Sequence, residues 1–403
     1  MYYSLYITFL LSIVTIACSH STQQSQHADT EPTKMEQPVE PGSWQLADYL
    51  PLLENKRIGM VVNQTSTIGK THLVDSLLHS GIKIEKIFSP EHGFRGKADA
   101  GAHIEDANDP DTGIPIISLY GEKNKPSKED LEPLDLLVFD IQDVGARFYT
   151  YISTLHLVME ACADNHKPLL VLDRPNPNGH YIDGPIREEA YKSFVGMHPV
   201  PVVYGMTIGE YATMINGEGW LDNGITCELT VIKCKNYDHQ TMYTLPIAPS
   251  PNLPNLRSVL LYPSLCFFEG TPLSIGRGTT HQFQVIGHPD LEGDFEFVPQ
   301  SMFGAAHPKL QGQTCHGIDL TGLNVRSIFD KKEIQLAFLL DFYQRFLDKS
   351  SFFNKNDWFD KLAGTTRLRE QIIAGQSEDE IRASWQPGLV SFAEKRLKYL
   401  LYP

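Results

Sequence analysis

The sequence predicts an α/β protein with a mostly parallel, helix-covered sheet, followed by a smaller α+β domain. Between Trp44 and residue 245, strand-length apolar runs alternate with segments of helical periodicity. The strand-like runs are continuously apolar, which is typical of parallel strands buried on both faces. The chain has 403 residues. This exceeds the usual size of a single core and therefore indicates two domains.

The expected strands follow one another through the first domain. They are "RIGMVVN", "IKIEKIFS", "IPIISLY", "LDLLVFD", "KPLLVLD", "PVPVVYG" and "CELTVIKC". Helices are expected between them, because "KTHLVDSLLHSG" and "YISTLHLVMEACADN" each carry an apolar stripe at helical spacing. Thr207 and Glu210 have the spacing of a capping box, which predicts that a further helix begins there.

A proline-rich stretch, "LPIAPSPNLPNLRS", predicts the boundary between the two domains. The first domain is therefore expected over residues 44–245 and the C-terminal α+β domain over residues 246–403. Within the second domain, "KKEIQLAFLLDFYQRFLDK" is predicted to be the longest helix of the chain.

The N-terminus predicts an exported protein. The apolar run "LYITFLLSIVTIAC" is too short to span a membrane and is typical of a signal peptide over residues 1–17. "TIAC" is similar to a bacterial lipobox, which predicts lipidation of Cys18 and a periplasmic, membrane-anchored protein. No Lys or Arg precedes the run and Thr15 replaces the usual Leu, so export without lipidation is the alternative. The polar residues 18–43 predict a flexible tether.

Charge and cysteine content narrow the class of protein. A net charge of −15 argues against nucleic acid as a partner, since phosphate backbones need a basic surface. The chain has 6 cysteines, and lipidation of Cys18 would leave an odd number that cannot all pair. Cys227 and Cys234 lie in one strand-like run on opposite faces and cannot bridge within it. Buried thiols are therefore expected rather than a disulfide framework.

Several common catalytic and cofactor motifs are absent from the sequence. There is no G-x-G-x-x-G after a strand and no P-loop, so neither a dinucleotide nor a nucleoside triphosphate is expected. There is also no G-x-S-x-G elbow, no H-E-x-x-H and no C-x-x-C pair. We therefore expect no cofactor and no standard zinc site.

Polar side chains follow each expected strand of the first domain. Ligands of an open parallel sheet bind beyond the carboxyl ends of its strands, so these residues are candidates for a common site. In chain order they are Asn63, Gln64, Thr65, Glu91, His92, Arg95, Asp140, Gln142, Asp143, Arg147, Asp173, Arg174, Asn176 and Tyr204. For any single one, and for Asp173 above all, a simple polar turn is the alternative.

The inventory of carboxylates, arginines, amides and aromatic groups suits carbohydrate chemistry. In "SPEHGFRG", Glu91 is a candidate general acid that would protonate a glycosidic oxygen, and Pro90 would stiffen its loop. The alternative for Glu91 is a solvated turn carboxylate. His92 could orient Glu91 or serve only as a structural donor.

Five longer segments carry a resemblance to a known family. "SPEHGFRG", "VFDIQDVGARFYTYISTL", "VLDRPNPNG", "PVVYGMTIGEYA" and "FEGTPLSIGRGT" together resemble the exo-β-N-acetylmuramidases of the NamZ family. The resemblance implies a hydrolase that removes terminal β-1,4-linked N-acetylmuramic acid from the non-reducing end of peptidoglycan fragments. It also implies a Rossmann-like, doubly wound sheet, a smaller C-terminal domain and a site in the cleft between them. Glu91 matches the glutamate that the resemblance makes catalytic.

N-acetylmuramic acid carries a lactyl carboxylate, which an arginine could bind bidentately. Arg147, Arg174 and Arg277 are the candidates, and each could instead pair with a nearby carboxylate. Glu269 and Arg277 would form a wall from the second domain. Tyr149 and Tyr151 could stack on sugar rings or simply pack. Asp140, Gln142 and Asp143 would hold sugar hydroxyls or the acetamido group.

The sequence leaves several candidates for the second catalytic group. It could be a carboxylate of a retaining or an inverting enzyme, or the acetamido group of the substrate polarised by Asp140 or Asp143. Two other functions compete with the glycosidase. One is a metal-dependent hydrolase or deacetylase that uses His92, Asp140 and Asp173, and the other is a non-catalytic wall-binding lipoprotein. In each case the expected partner is a peptidoglycan-derived saccharide of the MurNAc-GlcNAc type.

Overall fold

A computed structural model of the chain describes Met1 and residues 37–90, 93–95, 107–121 and 123–403. Residues Pro38–Pro403 form one compact unit. Most of the predicted signal peptide, Cys18 and the larger part of the predicted tether lie outside the described residues, as do Glu91 and His92. Among the described residues, no helix is both long and apolar enough to cross a membrane.

The main sheet confirms the predicted α/β fold class. Within the described residues it has 7 strands in the order β5-β6-β4-β1-β7-β8-β9, and all of its pairs are parallel except β5 with β6. The strands of the first half of the chain are β1 (Arg57–Val62), β2 (Thr67–Ile68), β3 (Thr71–His72), β4 (Lys83–Ser89), β5 (Ala107–Asn108), β6 (Pro115–Ser118), β7 (Leu136–Asp140), β8 (Leu169–Leu172) and β9 (Leu229–Ile232). Strands β2 and β3 form a separate hairpin.

Both faces of the main sheet are buried, as its continuously apolar strands predict. Side chains alternate between the faces, so Val61 and Phe139 enter one apolar core while Met60 and Val138 enter another. The five helices of this half are α1 (Leu46–Leu53), α2 (Leu73–His79), α3 (Lys128–Leu131), α4 (Tyr151–Asp164) and α5 (Ile208–Gly217), counted over the described residues. Thr207 and Glu210 cap α5 reciprocally, which confirms the predicted capping box.

The C-terminal part contains a small antiparallel sheet and further helices. The sheet has the order β10-β12-β11. Its elements, with the helices around it, are α6 (Leu256–Leu265), β10 (Val285–His288), β11 (Phe295–Phe297), β12 (Cys315–Asp319), α7 (Val325–Lys331), α8 (Leu336–Arg345), α9 (Trp358–Ala363), α10 (Arg367–Ile373) and α11 (Glu378–Arg396). Phe342 and Phe392 share the apolar core of α4 and α5, so the two parts of the chain have a continuous interior.

Three predictions about local structure are wrong. The longest described helix is α11 with 19 residues, whereas α8 has only 10. Pro387 within α11 suggests a helix end in the sequence, but the helix continues through it. "PVPVVYG" forms no strand, because its prolines lack ladder donors and only Val203 makes isolated bridges, to Ala146 and Asp183.

The third error concerns the end of the predicted tether. Gly42 and Ser43 are buried in a 3-10 turn, Gly42–Trp44. The backbone N–H of Gly42 donates to the carbonyl of Asp173 at 2.7 Å, so this segment belongs to the folded unit. The prediction of buried thiols is confirmed for the described cysteines, all of which are free and buried: Cys162, Cys227, Cys234, Cys266 and Cys315.

Candidate active-site cleft

Two adjoining cavities lie at the carboxyl edge of the main sheet, with volumes of about 70 and 400 Å³. Both are lined by Phe148, Thr150, Tyr262 and Arg277, so we treat them as one cleft. The smaller cavity adds Tyr149, Tyr151, Ser250, Asn252, Leu253 and Phe283, and the larger adds Tyr120, Ser193, Phe194, Val195, Cys266, Glu269, Trp358, Lys361 and Leu362. Residues from both predicted domains therefore line the cleft.

The segment after β7 supplies the wall that carries the two predicted tyrosines. The hydroxyl of Tyr149 donates to the carbonyl of Pro249 at 2.8 Å, and its ring meets that of Tyr151 edge to face at 4.9 Å. Asn63, at the end of β1, donates its side-chain amide to the Tyr151 hydroxyl at 2.9 Å. Burial raises the pKa of Tyr149 well above its usual value, so it remains a neutral phenol. The structure thus brings Tyr149 and Tyr151 to the cleft, with Asn63 behind them.

Arg277 is the predicted arginine that reaches the cleft. Its Nε lies 2.6 Å from Oε1 of Glu269, and its guanidinium lies over the ring of Phe283 at 5.1 Å. Within the part of the chain that the structure describes, no hydrogen-bond partner is found for its two terminal nitrogens. A guanidinium held along its Nε edge keeps its other edge available for a second, bidentate carboxylate.

Asp140 and Arg174 form a buried ion pair beneath the sheet edge. Nε and one terminal nitrogen of Arg174 lie 2.5 and 2.8 Å from the two carboxylate oxygens of Asp140. Asp140 is 0% exposed and Arg174 is 3% exposed. This pairing occupies both groups, so neither is free to bind a substrate, and the pair joins the ends of β7 and β8.

Asp173 and Asn176 organise the chain after β8. Asp173 accepts hydrogen bonds from the Thr207 and Tyr402 hydroxyls at 2.7 and 2.6 Å, and from the backbone N–H of Gly209 at 2.7 Å. Burial raises its pKa to about 6. Asn176 donates to the carbonyl of Met206 at 2.8 Å. Both side chains connect β8 to the start of α5, and neither lines the cleft.

Gln142, Asp143 and Tyr204 lie in the layer below Tyr149. The amide of Gln142 donates to the carbonyls of Asp143 and Pro175 at 2.8 and 2.7 Å. One oxygen of Asp143 accepts from the Tyr204 hydroxyl and from the backbone N–H of Gly145, and its other oxygen is buried with no hydrogen-bond partner among the described residues. Burial raises the pKa of Asp143 to about 6. The environment of Asp143 therefore favours the protonated acid below neutral pH.

Arg147 does not face the cleft. It is 0% exposed, and its terminal nitrogens donate to four backbone carbonyls, those of Pro185, Val200, Leu362 and Ala363, at 2.7 to 3.0 Å. Burial lowers its pKa to about 9. Arg147 is thus a strut between the segment after β7 and the C-terminal part of the chain, rather than a ligand for a lactyl group.

Arg95 belongs to a cluster of acidic side chains. Its guanidinium lies 3.1 Å from Asp109, 3.3 Å from Asp111 and 3.6 Å from Asp75. These contacts anchor the chain just after the predicted catalytic loop. Of that loop, Ser89 and Pro90 are buried at the end of β4, and the backbone N–H of Gly93 donates to the carbonyl of Pro90 at 3.1 Å.

Two of the three residues that a metal-dependent hydrolase would use, Asp140 and Asp173, are already engaged by other groups, and His92 lies outside the described residues. Asp140 is bound by Arg174, and Asp173 is bound by hydroxyl and backbone donors. Among the described residues, no three His, Cys, Asp or Glu side chains lie together as a metal site requires. The geometry of these two carboxylates therefore supports structural roles.

Sequence reasoning missed several residues of the cleft. Tyr120 follows β6 and could have been found, because it ends the predicted strand "IPIISLY" at the same sheet edge. Asn252, Tyr262 and Trp358 come from segments to which the rule for parallel strands does not apply. Only packing of the C-terminal part against the sheet brings them to the cleft.

The fold and the cleft define an α/β enzyme with a site at the carboxyl edge of its sheet, walled by aromatic rings and one guanidinium. The chain belongs to the exo-β-N-acetylmuramidase NamZ family. The N-terminal and C-terminal models of that family match residues 58–257 and 260–402. The family is one of glycoside hydrolases, so this membership also identifies the chain as an enzyme of that class.

Individual relatives support the family assignment over nearly the whole chain. The peptidoglycan β-N-acetylmuramidase NamZ of Bacillus subtilis (strain 168) is 37% identical over 98% of both chains. A crystal structure of a DUF1343 family protein from Bacteroides fragilis NCTC 9343 is 48% identical, with a TM-score of 0.85, over 91% of this chain and 99% of that one. A second such protein from the same organism is 29% identical, with a TM-score of 0.79 and the same coverage.

Proposed function

We propose that this protein releases terminal β-1,4-linked N-acetylmuramic acid from the non-reducing end of peptidoglycan-derived saccharides, with Glu91 as the general acid. The substrate is a MurNAc-GlcNAc type saccharide. The observation that carries the proposal is the position of the carboxyl end of β4, from which the segment with Glu91 continues.

Strand β4 lies between β6 and β1 in the sheet. Tyr120, just after β6, lines the cleft, and Asn63, just after β1, binds the cleft residue Tyr151. The segment that begins at Pro90 therefore starts between two strands whose following residues reach the cleft. We therefore expect Glu91, two residues beyond β4, to lie near the cleft, where a proton donor to a bound sugar is needed.

The cleft offers complementary groups for N-acetylmuramic acid. Tyr120, Phe194 and Trp358 line the larger cavity and are only half-buried, so they present aromatic surface on which a pyranose ring can lie. Tyr149 and Tyr151 line the smaller cavity but are buried. The free edge of Arg277 is suited to the lactyl carboxylate. The larger cavity, with a volume of about 400 Å³, is of the size that small ligands fill, and the smaller one adjoins it.

The structure reduces the number of carboxylates that could assist as the second catalytic group. Both carboxylate oxygens of Asp140 are bound by Arg174, which favours a structural role for Asp140. Asp143 lies below the cleft with one unpartnered oxygen and is the remaining predicted carboxylate for polarising the acetamido group of the substrate. His92 is proposed to orient Glu91.

Turnover of a chromogenic β-N-acetylmuramide tests the proposal, with the corresponding glucosaminide as comparison. We expect cleavage of the muramide alone. Glu91→Gln should lower kcat by about 10² to 10⁴-fold, the usual contribution of a general acid, without changing the circular dichroism spectrum. Glu85→Gln, on the same strand but away from its carboxyl end, is the matched control. Full activity of the Glu91 variant, or equal cleavage of both substrates, contradicts the proposal.

We also propose that the protein is exported to the periplasm and anchored through a lipid on Cys18. The support is the apolar run before Cys18 and the polar segment after it. Metabolic labelling with a fatty acid should mark the wild-type protein and not Cys18→Ser, and the variant should leave the membrane fraction. Label on the Cys18→Ser variant would contradict the lipid anchor.

A further inference from the structure

Lys309 lies behind the wall of the cleft that carries Glu269 and Arg277. Its Nζ donates to the carbonyls of Phe268 and Thr271 at 3.1 and 2.5 Å. These two residues flank Glu269, so Lys309 holds the turn from which the Glu269 carboxylate projects. Lys309 itself does not line the cleft.

The three charged groups act on one another electrostatically. Burial alone would raise the pKa of Glu269, but Arg277 and Lys309 hold it below its usual value. Burial lowers the pKa of Lys309, and the nearby Glu269 carboxylate opposes this effect. The pKa of Glu269 is therefore lowered by two cations, although only Arg277 contacts the carboxylate directly.

Lys309 determines the net charge of the group that it forms with Glu269 and Arg277. Glu269 and Arg277 alone would form a neutral pair, which has little reason to bind a further anion at the cost of its desolvation. Lys309 adds one positive charge, and within the described part of the chain no carboxylate lies within ion-pair distance of its Nζ. The group of three then carries an excess positive charge in a protein whose net charge is −15. Because the net negative charge of the protein repels anions, an anionic ligand would have to be attracted by a local positive group such as this one.

We propose that Lys309 is a positioning residue that makes the cleft selective for an anionic sugar. It fixes the turn of Glu269 and offsets the charge of that carboxylate, which leaves the terminal nitrogens of Arg277 able to bind the carboxylate of the substrate. The inference rests on the proposed function, because it concerns the subsite for the acidic arm of the same sugar.

The test compares two substrates that differ only in charge, a chromogenic β-N-acetylmuramide and its lactyl methyl ester. Lys309→Gln should raise KM for the acid about tenfold, with kcat changed much less, because a uniform binding contribution of roughly 1.4 kcal/mol is lost. KM for the neutral ester should stay close to the wild-type value. Lys309→Arg should keep the preference for the acid, and Lys398→Gln, at an exposed lysine near the C-terminus, is the control.

Lys309→Met keeps the apolar stem without the charge and replaces the Gln variant if that variant does not fold. A fall in activity that is equal for the acid and the ester, or no change for either, overturns the inference, because a merely structural lysine treats both substrates alike. A wild-type enzyme that prefers the ester or does not discriminate also overturns it. If the wild-type enzyme cleaves neither substrate, the proposed function fails instead.

Discussion

Arg147 and Arg277 are equivalent candidates in the sequence for binding a carboxylate, but the structure places them in opposite environments. Arg147 is fully buried and surrounded by carbonyl oxygens from distant segments. The Arg277 side chain is 30% exposed, binds Glu269 along one edge and faces the cleft with the other. The guanidinium of Arg147 is a structural strut, whereas that of Arg277 leaves one edge facing the cleft. The bonding of the guanidinium nitrogens, rather than the place of the residue after a strand, decides the difference.

The difference separates two layers of the site. The lower layer, with Arg147, Asp140, Arg174 and Asp173, has nearly all its polar atoms engaged and fixes the strand ends. The upper layer, with Arg277 and the tyrosines, presents groups toward an open volume. Substitutions in the lower layer should therefore affect stability first, and substitutions in the upper layer should affect catalysis first.

The largest expected effect belongs to the strut. Arg147→Met removes the donors of four buried carbonyl groups, and we expect a loss of at least about 3 kcal/mol in the free energy of unfolding. Urea denaturation followed by circular dichroism measures this loss. Arg326→Met, at an exposed arginine, should change the same quantity by less than about 0.5 kcal/mol. A fully stable but inactive Arg147 variant would place this residue in the upper layer.

Arg277→Met should reverse this pattern. We expect kcat/KM for a chromogenic muramide to fall about 100-fold, since a bidentate charge-assisted contact is worth roughly 2–3 kcal/mol. Stability should change by less than about 1 kcal/mol, because Glu269 lies at a partly open surface. Arg277→Lys should recover only part of the loss, since an ammonium lacks the planar fork. A variant that unfolds like the Arg147 variant would remove the distinction between the layers.

Asp143 should produce a pH-dependent stability. Its folded pKa of about 6 lies above the unfolded value of about 4. The folded state therefore holds this proton more tightly, and the carboxyl destabilises the protein as pH rises from about 4 to 6, with no further change above. Relative to wild type, Asp143→Asn should gain up to about 3 kcal/mol over this window. Urea midpoints at several pH values test this, with Asp330→Asn as the exposed control, and a pH-independent difference contradicts it.

The smallest effect is expected for Tyr149→Phe. The variant loses one hydrogen bond to Pro249 but keeps its aromatic face toward the cleft. We expect a loss of about 1 kcal/mol in stability and less than about a threefold change in kcat/KM. A large loss of activity in steady-state kinetics would mean that the hydroxyl of Tyr149 binds the substrate directly.

The sequence was sufficient for the sheet because burial on both faces leaves a direct signal. Strands β1, β7 and β8 are continuous apolar runs apart from their terminal Arg57 and Asp140, and each was predicted within a few residues. The signal was misleading at "PVPVVYG", where prolines prevent a ladder, and at α11, where a proline lies inside the helix. In both cases the apolar pattern and the backbone chemistry pointed in different directions.

The candidate site was less predictable, because the sequence cannot show which polar groups satisfy one another. Asp140 and Arg174 follow neighbouring strands and bind each other across the sheet edge. Arg277 and Glu269 also pair, yet their pairing leaves part of the guanidinium free. Lys309 gave no signal in the sequence, since its contacts with Phe268 and Thr271 come from tertiary packing.

The contact between Arg147 and residues 362–363 has a consequence for biosynthesis. Arg147 meets Leu362 and Ala363 across a separation of more than 200 positions. Those partners are synthesised late, so the carbonyl site of Arg147 and the cleft stay incomplete until most of the polypeptide exists. Such long-range closure slows folding. It would delay enzymatic activity until synthesis is nearly complete.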